Sequence, residues 1–310
     1  MSRGAPATYV RLQGGLGNQL FQYGLGLAKA TGAETELRLD IRSFDVRNPR
    51  IVPRSYGLAV FGVDAAIASR AELLRYDVLR RWWQLAHRWR KTRRGSAHVL
   101  SSRLLSATYV REGGFSHQWT VAAVSGAEAY FDGHWQSDKY FSPVADSMRK
   151  LLDVSGALDS GAQEMLSRIA DGRSLCVNVR RGDFVSHARS SAFHGAMGSD
   201  YYGRATRALL DRFPIDQVFV FSDDPEWCRQ NLRLDPDQIV VDHRYAGPEF
   251  SWYLNLMAAC SYFVLPNSSF GWWAAWLANV EPDRVVAPEQ WFLDPTIDVS
   301  DLLNPEWLRM

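Results

Sequence analysis

The stretch TYVRLQGGLGNQLFQYGLGLAKATGAETELRLDI, residues 8–41, decides the fold. Residues 8–13 alternate apolar and polar side chains, the period of a strand. Gly14-Gly15-Leu16-Gly17 breaks that pattern, and Asn18 to Lys29 then follows a helical period. Residues 34–41 (ETELRLDI) alternate again. Strand, glycine loop, helix, strand is the unit from which parallel sheets are built.

Working outward, the second half repeats the pattern more regularly. Residues 174–179 (SLCVNV), 217–222 (QVFVFS), 238–242 (QIVVD) and 261–265 (SYFVL) are expected strands. Helices are expected near 142–153, 158–170, 200–213, 225–232, 249–260 and 271–279. Short apolar runs separated by helices indicate an α/β fold with parallel sheets covered on both faces. At 310 residues the chain exceeds one typical core and suits two. The boundary is placed near 140–155, giving an N-terminal domain over 1–150, with a basic helical insertion at 65–105, and a C-terminal domain over 151–310.

Composition narrows the function. Net charge is +1, so no global field draws the chain to nucleic acid. Twelve Trp suit both cores and sugar-binding clefts. Cys176, Cys228 and Cys260 are odd in number and widely spaced, which argues against a disulfide framework or a structural zinc site. The first ten residues lack the apolar run of a secretory signal, and no stretch is apolar for long enough to span a bilayer, so a cytoplasmic location is expected. No Gly-x-x-x-x-Gly-Lys-Ser/Thr occurs, which excludes a P-loop nucleotidase.

Ligands of open parallel sheets bind beyond the carboxyl ends of the strands. Three polar clusters lie there: Arg180-Arg181-Gly182-Asp183, Ser222-Asp223-Asp224-Pro225 and Asn267-Ser268-Ser269-Phe270. Arginine forks bind phosphate oxygens, aspartates accept from a base or ribose, and Ser268 or Ser269 can cap a helix whose N-terminus favours an anion. Singly, each cluster also reads as an ordinary turn or helix start; their convergence on equivalent strand ends points to a nucleotide-diphosphate site.

These residues carry a resemblance. GGLGNQLFQY at 14–23, NVRRGDF at 178–184, FSDDPEW at 221–227 and LPNSSFGWWAAWL at 265–277 resemble segments of the bacterial α-1,2-fucosyltransferases of glycosyltransferase family 11. FDGHWQSDKYF at 131–141 and VVAPEQWF at 285–292 are similar as well. The resemblance implies a GT-B fold of two Rossmann-like domains facing an interdomain cleft, with the donor mainly on the C-terminal one. It implies GDP-β-L-fucose as a co-substrate rather than a cofactor, inversion at C1 and no metal. Asp235-Pro236-Asp237 accordingly reads as a turn rather than a metal motif. The chain departs from the resemblance at Asn178, where the motif usually has His, and at Gly271 and Ala274, in place of Ser and Gly. Asn178 bears on the base contact and the donor's identity; the other two are expected to matter less.

Roles follow from position. Arg180 is assigned to the diphosphate, where negative charge develops. Arg181 falls on the opposite face and reads as structural. Asp183 is read either as the acceptor's general base or as the group that orients Arg180, and His194 is the other base candidate. The loop of Gly14, Gly15 and Gly17 permits close backbone approach, with Asn18 and Gln19 toward the sugar or β-phosphate. Asn178 joins Arg180 on one strand face, Asp223 or Asp224 takes the guanosine, and Ser268, Ser269 and Phe270 complete the donor site. Residues 79–94 (LRRWWQLAHRWRKTRR) have two readings. In one, Trp82, Leu85, Ala86 and Trp89 face a core, with Arg80, Arg81, Arg88 and Lys91 in solvent. In the other, the helix contacts an anionic membrane peripherally. The competing functions are transfer of another GDP-linked hexose and non-catalytic sugar or nucleotide binding; the acceptor is a glycan or small glycoside.

Overall fold

The computed structural model describes residues 5–46, 52–87 and 96–310. The chain divides into two compact units. One comprises Met1–Asn48, Pro53–Met148 and Ile297–Leu302; the other comprises Arg149–Thr296 and Leu303–Met310 with Pro49–Val52. Ile297–Leu302 thus belongs to the first unit although it lies in the expected C-terminal range. Asp301 is the tie there: its carboxylate accepts from the His117 amide at 2.7 Å and pairs with Lys139.

The first unit opens with β1 (Ala7–Arg11), α1 (Leu16–Ala33) and β2 (Glu36–Asp40), with β1 and β2 parallel. β3 (Ala66–Ile67), α2 (Arg70–His87), β4 (His98–Ser102), β5 (Ala107–Arg111), α3 (Trp119–Ala122) and β6 (Ala129–Asp132) follow. Its sheet order is β3-β2-β1-β6-β5-β4, parallel except where β4 runs against β5. The second unit contains α5 (Ser160–Ala170), preceded by α4 (Ala145–Leu152) at the division between the units. It continues with β7 (Ser174–Val179), α6 (Gly182–Ser186), α7 (Ala188–His194), α8 (Ser199–Leu210), β8 (Gln217–Ser222), α9 (Pro225–Asn231), β9 (Gln238–Val240), α10 (Ser251–Ala258), β10 (Tyr262–Val264), α11 (Ser269–Ala278), β11 (Val285–Ala287) and β12 (Leu308–Arg309). Its all-parallel order is β12-β11-β10-β7-β8-β9. The two Rossmann-like units give the GT-B type of α/β fold. Strands β7 and β8 are buried almost throughout, which is why they read as continuous apolar runs.

The insertion corrects the sequence reading. Among the described residues of 65–105, helix spans Arg70–His87, and His98–Ser102 forms edge strand β4. The face of α2 turned to the core is Leu73, Tyr76 and Leu79, whereas Trp82 and Leu85 are 67% and 65% exposed. Tyr76 sets this rotation: its ring lies 5.3 Å from Tyr130 and 4.9 Å from Tyr9 on the sheet. Arg88, Trp89 and Lys91 of the expected wheel lie outside the described residues.

Candidate functional site

Strand order locates the site in the second unit. From β7 the chain moves outward to β8 and β9, then crosses back to place β10 on the other side of β7. The crevice beyond the carboxyl ends of β7 and β10 is therefore the topological switch point, where open α/β sheets bind ligands. Arg180 follows β7 directly, and Ser268, Ser269 and Phe270 open α11 after β10, all half-exposed.

Arg180 is held by two carboxylates. One terminal nitrogen lies 2.7 Å from Asp223 Oδ2, and the other is bonded to Asp183. Its guanidinium carbon sits 5.4 Å from the Phe184 ring centre. Asp223 also accepts the Arg181 amide at 2.8 Å, so it locks the β7 exit to the β8 exit. Gly182 makes this approach feasible, since a Cβ there would lie 2.4 Å from Asp223 Oδ2. Nothing in the sequence pattern marks Gly182 for that duty; only the neighbouring strand end does. A guanidinium has five N–H donors in a rigid fork, so two carboxylate contacts orient it while leaving donor capacity for phosphate oxygens.

Arg181 takes the structural place expected of it. Its guanidinium stacks 3.8 Å from the Trp227 ring centre and faces Asp224 at 3.7 Å. Asp224 caps α9 by accepting the Trp227 amide at 3.1 Å. The two aspartates expected at the guanosine are thus engaged in orienting Arg180 and closing a helix. Ser268 occupies the N-cap position of α11 without a side-chain cap bond, so of the two serines offered for a cap Ser268 does not supply one.

Asn178 is 7% exposed and donates to the Phe221 carbonyl at 3.1 Å. Its Oδ1 lies where a Cβ on Gly271 would come within 2.6 Å. Two of the three departures, Asn178 and Gly271, therefore lie against each other. Gly271→Ala should cost about 1–3 kcal/mol by overpacking, and much less in an Asn178→Ala background. Chemical denaturation of both singles and the double tests this, and additive costs would show that the contact is immaterial.

His194 stacks face to face on Phe184 at 4.4 Å and 6°, with Phe193 edge-on at 4.8 Å. Its backbone carbonyl accepts from Asn267 Nδ2 at 2.8 Å, and that amide also meets the Gly195 and Trp291 carbonyls. His194 is thus half-buried in an aromatic cluster with Phe184, Phe193 and Phe292. Asn267, 1% exposed, is a latch; the sequence reading placed it in the third polar cluster but gave it no role of its own.

The first unit repeats the logic. Its switch point falls between β1 and β6, at the glycine loop and the start of α1. Gly14 has φ +80°, and a Cβ would meet Asn18 Nδ2 at 2.6 Å. Gly15 is the N-cap of α1 and Gly17 is buried inside it. Asn18 Oδ1 accepts from Gln136 Nε2 at 2.7 Å, joining the two strand exits. Gln19 turns inward. It is 1% exposed, donates to the Gly14 and Ser55 carbonyls at 3.0 and 2.8 Å, and accepts the Gly57 amide at 2.9 Å. Beside this loop, buried Asp132 is paired with Arg111 at 2.7 Å and Arg11 at 3.2 Å, and accepts the Tyr109 hydroxyl at 2.7 Å. Burial opposes its charge, but these arginines outweigh burial and hold its carboxyl below the usual range. Glu112 accepts the His134 and Trp135 amides at 2.5 and 2.8 Å, and burial pushes its carboxyl up to about 7. Neither was named as a site candidate, although Asp132 lies in FDGHWQSDKYF, the segment quoted for its resemblance; no comparable signal marked Glu112.

The profile described as Glycosyl transferase family 11 matches residues 105–310. The chain belongs to glycosyltransferase family 11. It is therefore a glycosyltransferase. It is 28% identical over 309 residues to an alpha-1,2-colitosyltransferase of Escherichia coli, covering 97% of each chain. It is 27% identical to the O-antigen biosynthesis glycosyltransferase WbnK of Escherichia coli, covering 97% of this chain and 100% of that one. Galactoside alpha-(1,2)-fucosyltransferase 1 of Lagothrix lagotricha is 27% identical over 54% of this chain and 51% of its own. Among solved structures, the fucosyltransferase NodZ from Bradyrhizobium aligns with TM-score 0.45 and 14% identity, over 88% of this chain and 92% of that one. Among the described residues, no helix is long and apolar enough to cross a membrane.

Proposed function

We propose that this family 11 enzyme transfers L-fucose from GDP-β-L-fucose to a glycan hydroxyl, the 2-OH of a galactoside foremost, with inversion at C1 and without a metal ion. The observation that carries the reading is Arg180, fixed between Asp183 and Asp223 at the switch point of the second unit. As the bond from C1 to the β-phosphate oxygen breaks, charge grows on the diphosphate. A pre-oriented guanidinium meets that charge without reorganising. The N-terminus of α11, ten residues long, adds backbone donors and a favourable dipole on the other side of the crevice.

A second reading keeps the chemistry and changes the sugar. Asn178 stands where the family motif usually has His, and one full-length relative is named a colitosyltransferase. A donor panel separates the two. GDP-fucose, other GDP-sugars and UDP-sugars are compared by acceptor-stimulated nucleotide release. GDP at 100-fold excess over its Kd should stabilise the fold by about 2.7 kcal/mol in the presence of a chelator, with UDP far weaker. Equal shifts by UDP, or a strict need for a divalent metal, would overturn the reading.

A further inference from the structure

Helix α2 carries two apolar faces, and the core uses one. Leu73, Tyr76 and Leu79 pack into an aromatic cluster with Tyr9, Tyr109 and Tyr130. On the other side, Leu74, Trp82 and Leu85 are 65%, 67% and 65% exposed. Their spacing of eight and three residues sets them along one stripe of the helix, with half-buried Val78 between. Val99 on edge strand β4 is 45% exposed, and a groove of about 310 Å³ runs between Trp82, Ala86 and Val99. Isolated exposed apolar residues are ordinary, but an aligned stripe with a groove beside it marks a surface that meets another phase or molecule.

Charge decides which occupant. Arg81 is exposed next to Trp82. Residues 79–94 contain seven Lys or Arg and no Asp or Glu, in a chain whose net charge is only +1. A second copy of the chain, meeting this stripe across a two-fold interface, would set the partner's Arg81 against this one, and like charges repel. A bilayer with anionic headgroups complements the charge, and indole and leucyl side chains are suited to its interfacial region.

We propose that the outer face of α2, through Leu74, Arg81, Trp82 and Leu85, docks the enzyme on the surface of an anionic membrane. The contact is peripheral: the stripe is apolar on one side of a helix whose other side is committed to the core. This inference does not depend on the donor assignment, since it concerns a face of the first unit that the donor chemistry does not use.

The test is co-sedimentation of the full chain with vesicles of phosphatidylcholine alone or mixed with phosphatidylglycerol, at low and high salt. Binding to the phosphatidylglycerol vesicles should exceed binding to phosphatidylcholine by about tenfold or more and fall with salt. Trp82→Ser combined with Leu85→Ser should abolish it, and Arg81→Glu should weaken it several-fold. All three positions are exposed, so melting curves should match the parent's and show that the variants are folded. Absence of binding to either vesicle, or equal and salt-insensitive binding to both, would overturn the proposal. So would a parent that sediments as a dimer and becomes monomeric in the Trp82→Ser, Leu85→Ser variant, since the face would then belong to a second copy.

Discussion

Arg180→Ala is expected to lower kcat by about 10²–10³-fold, the scale of a lost donor to charge that develops in the transition state. Arg180→Lys should remain poor. An ammonium cannot bridge Asp183 and Asp223 with two separate nitrogens as the guanidinium does, nor present a fork to phosphate. Arg181→Ala should behave differently. It removes a cation stacked on Trp227 and facing Asp224, so stability should fall more than turnover. Steady-state kinetics beside urea denaturation of the three variants makes the comparison. Near-normal turnover in Arg180→Ala, with turnover abolished in a folded Arg181→Ala, would reverse the assignment of the two arginines.

Glu112 gives the second large effect, on stability and its pH dependence. Burial raises its carboxyl to about 7, against the opposing pull of the His134 and Trp135 amides and of Arg111. A carboxyl raised in the folded state contributes stability that is complete below the unfolded pKa, near 4.5. That contribution is lost as pH climbs through about 7. Relative to Glu112→Gln, which does not titrate, the parent should lose on the order of 2–3 kcal/mol between pH 5 and pH 8. At pH 5 the variant should be the less stable protein. Its amide NH₂ would face one of two backbone N–H groups, leaving a buried donor unpaired at about 1–3 kcal/mol. Urea denaturation of both proteins at intervals across this range reads the difference directly. A stability gap that stays constant with pH would mean that Glu112 is ionised throughout.

Both predictions rest on contacts between strand exits far apart in sequence, and they mark where sequence reading stops. Alternation in residues 8–13 and 34–41 and apolar runs at 174–179 and 217–222 located strands close to where β1, β2, β7 and β8 lie. Those periodicities are local, because a strand must turn alternate side chains to opposite faces and a central parallel strand must be apolar on both. The polar clusters after β7, β8 and β10 were legible for the same reason: a chain leaving a buried strand must change composition where it meets solvent. Edge strand β4 escaped notice because its five residues, HVLSS, are short and only partly buried.

Partners, by contrast, were decided by tertiary structure. Arg180 and Asp223 meet because β7 and β8 are paired in register, Val179 opposite Ser222, which no pattern within either segment encodes. Gln19 turned inward because the Ser55 carbonyl and Gly57 amide arrive beside it from 36 and 38 residues away. The sequence of α2 offered Trp82, Leu85 and Ala86 as a core face in one reading, and the ring of Tyr76 between Tyr9 and Tyr130 buried Leu73, Tyr76 and Leu79 instead. By itself the sequence determined which segments form strands and helices and which residue types gather at their ends. Only the packed sheets decided which of those side chains face each other, because hydrogen bonds and ion pairs depend on distances set by neighbours the local pattern cannot see.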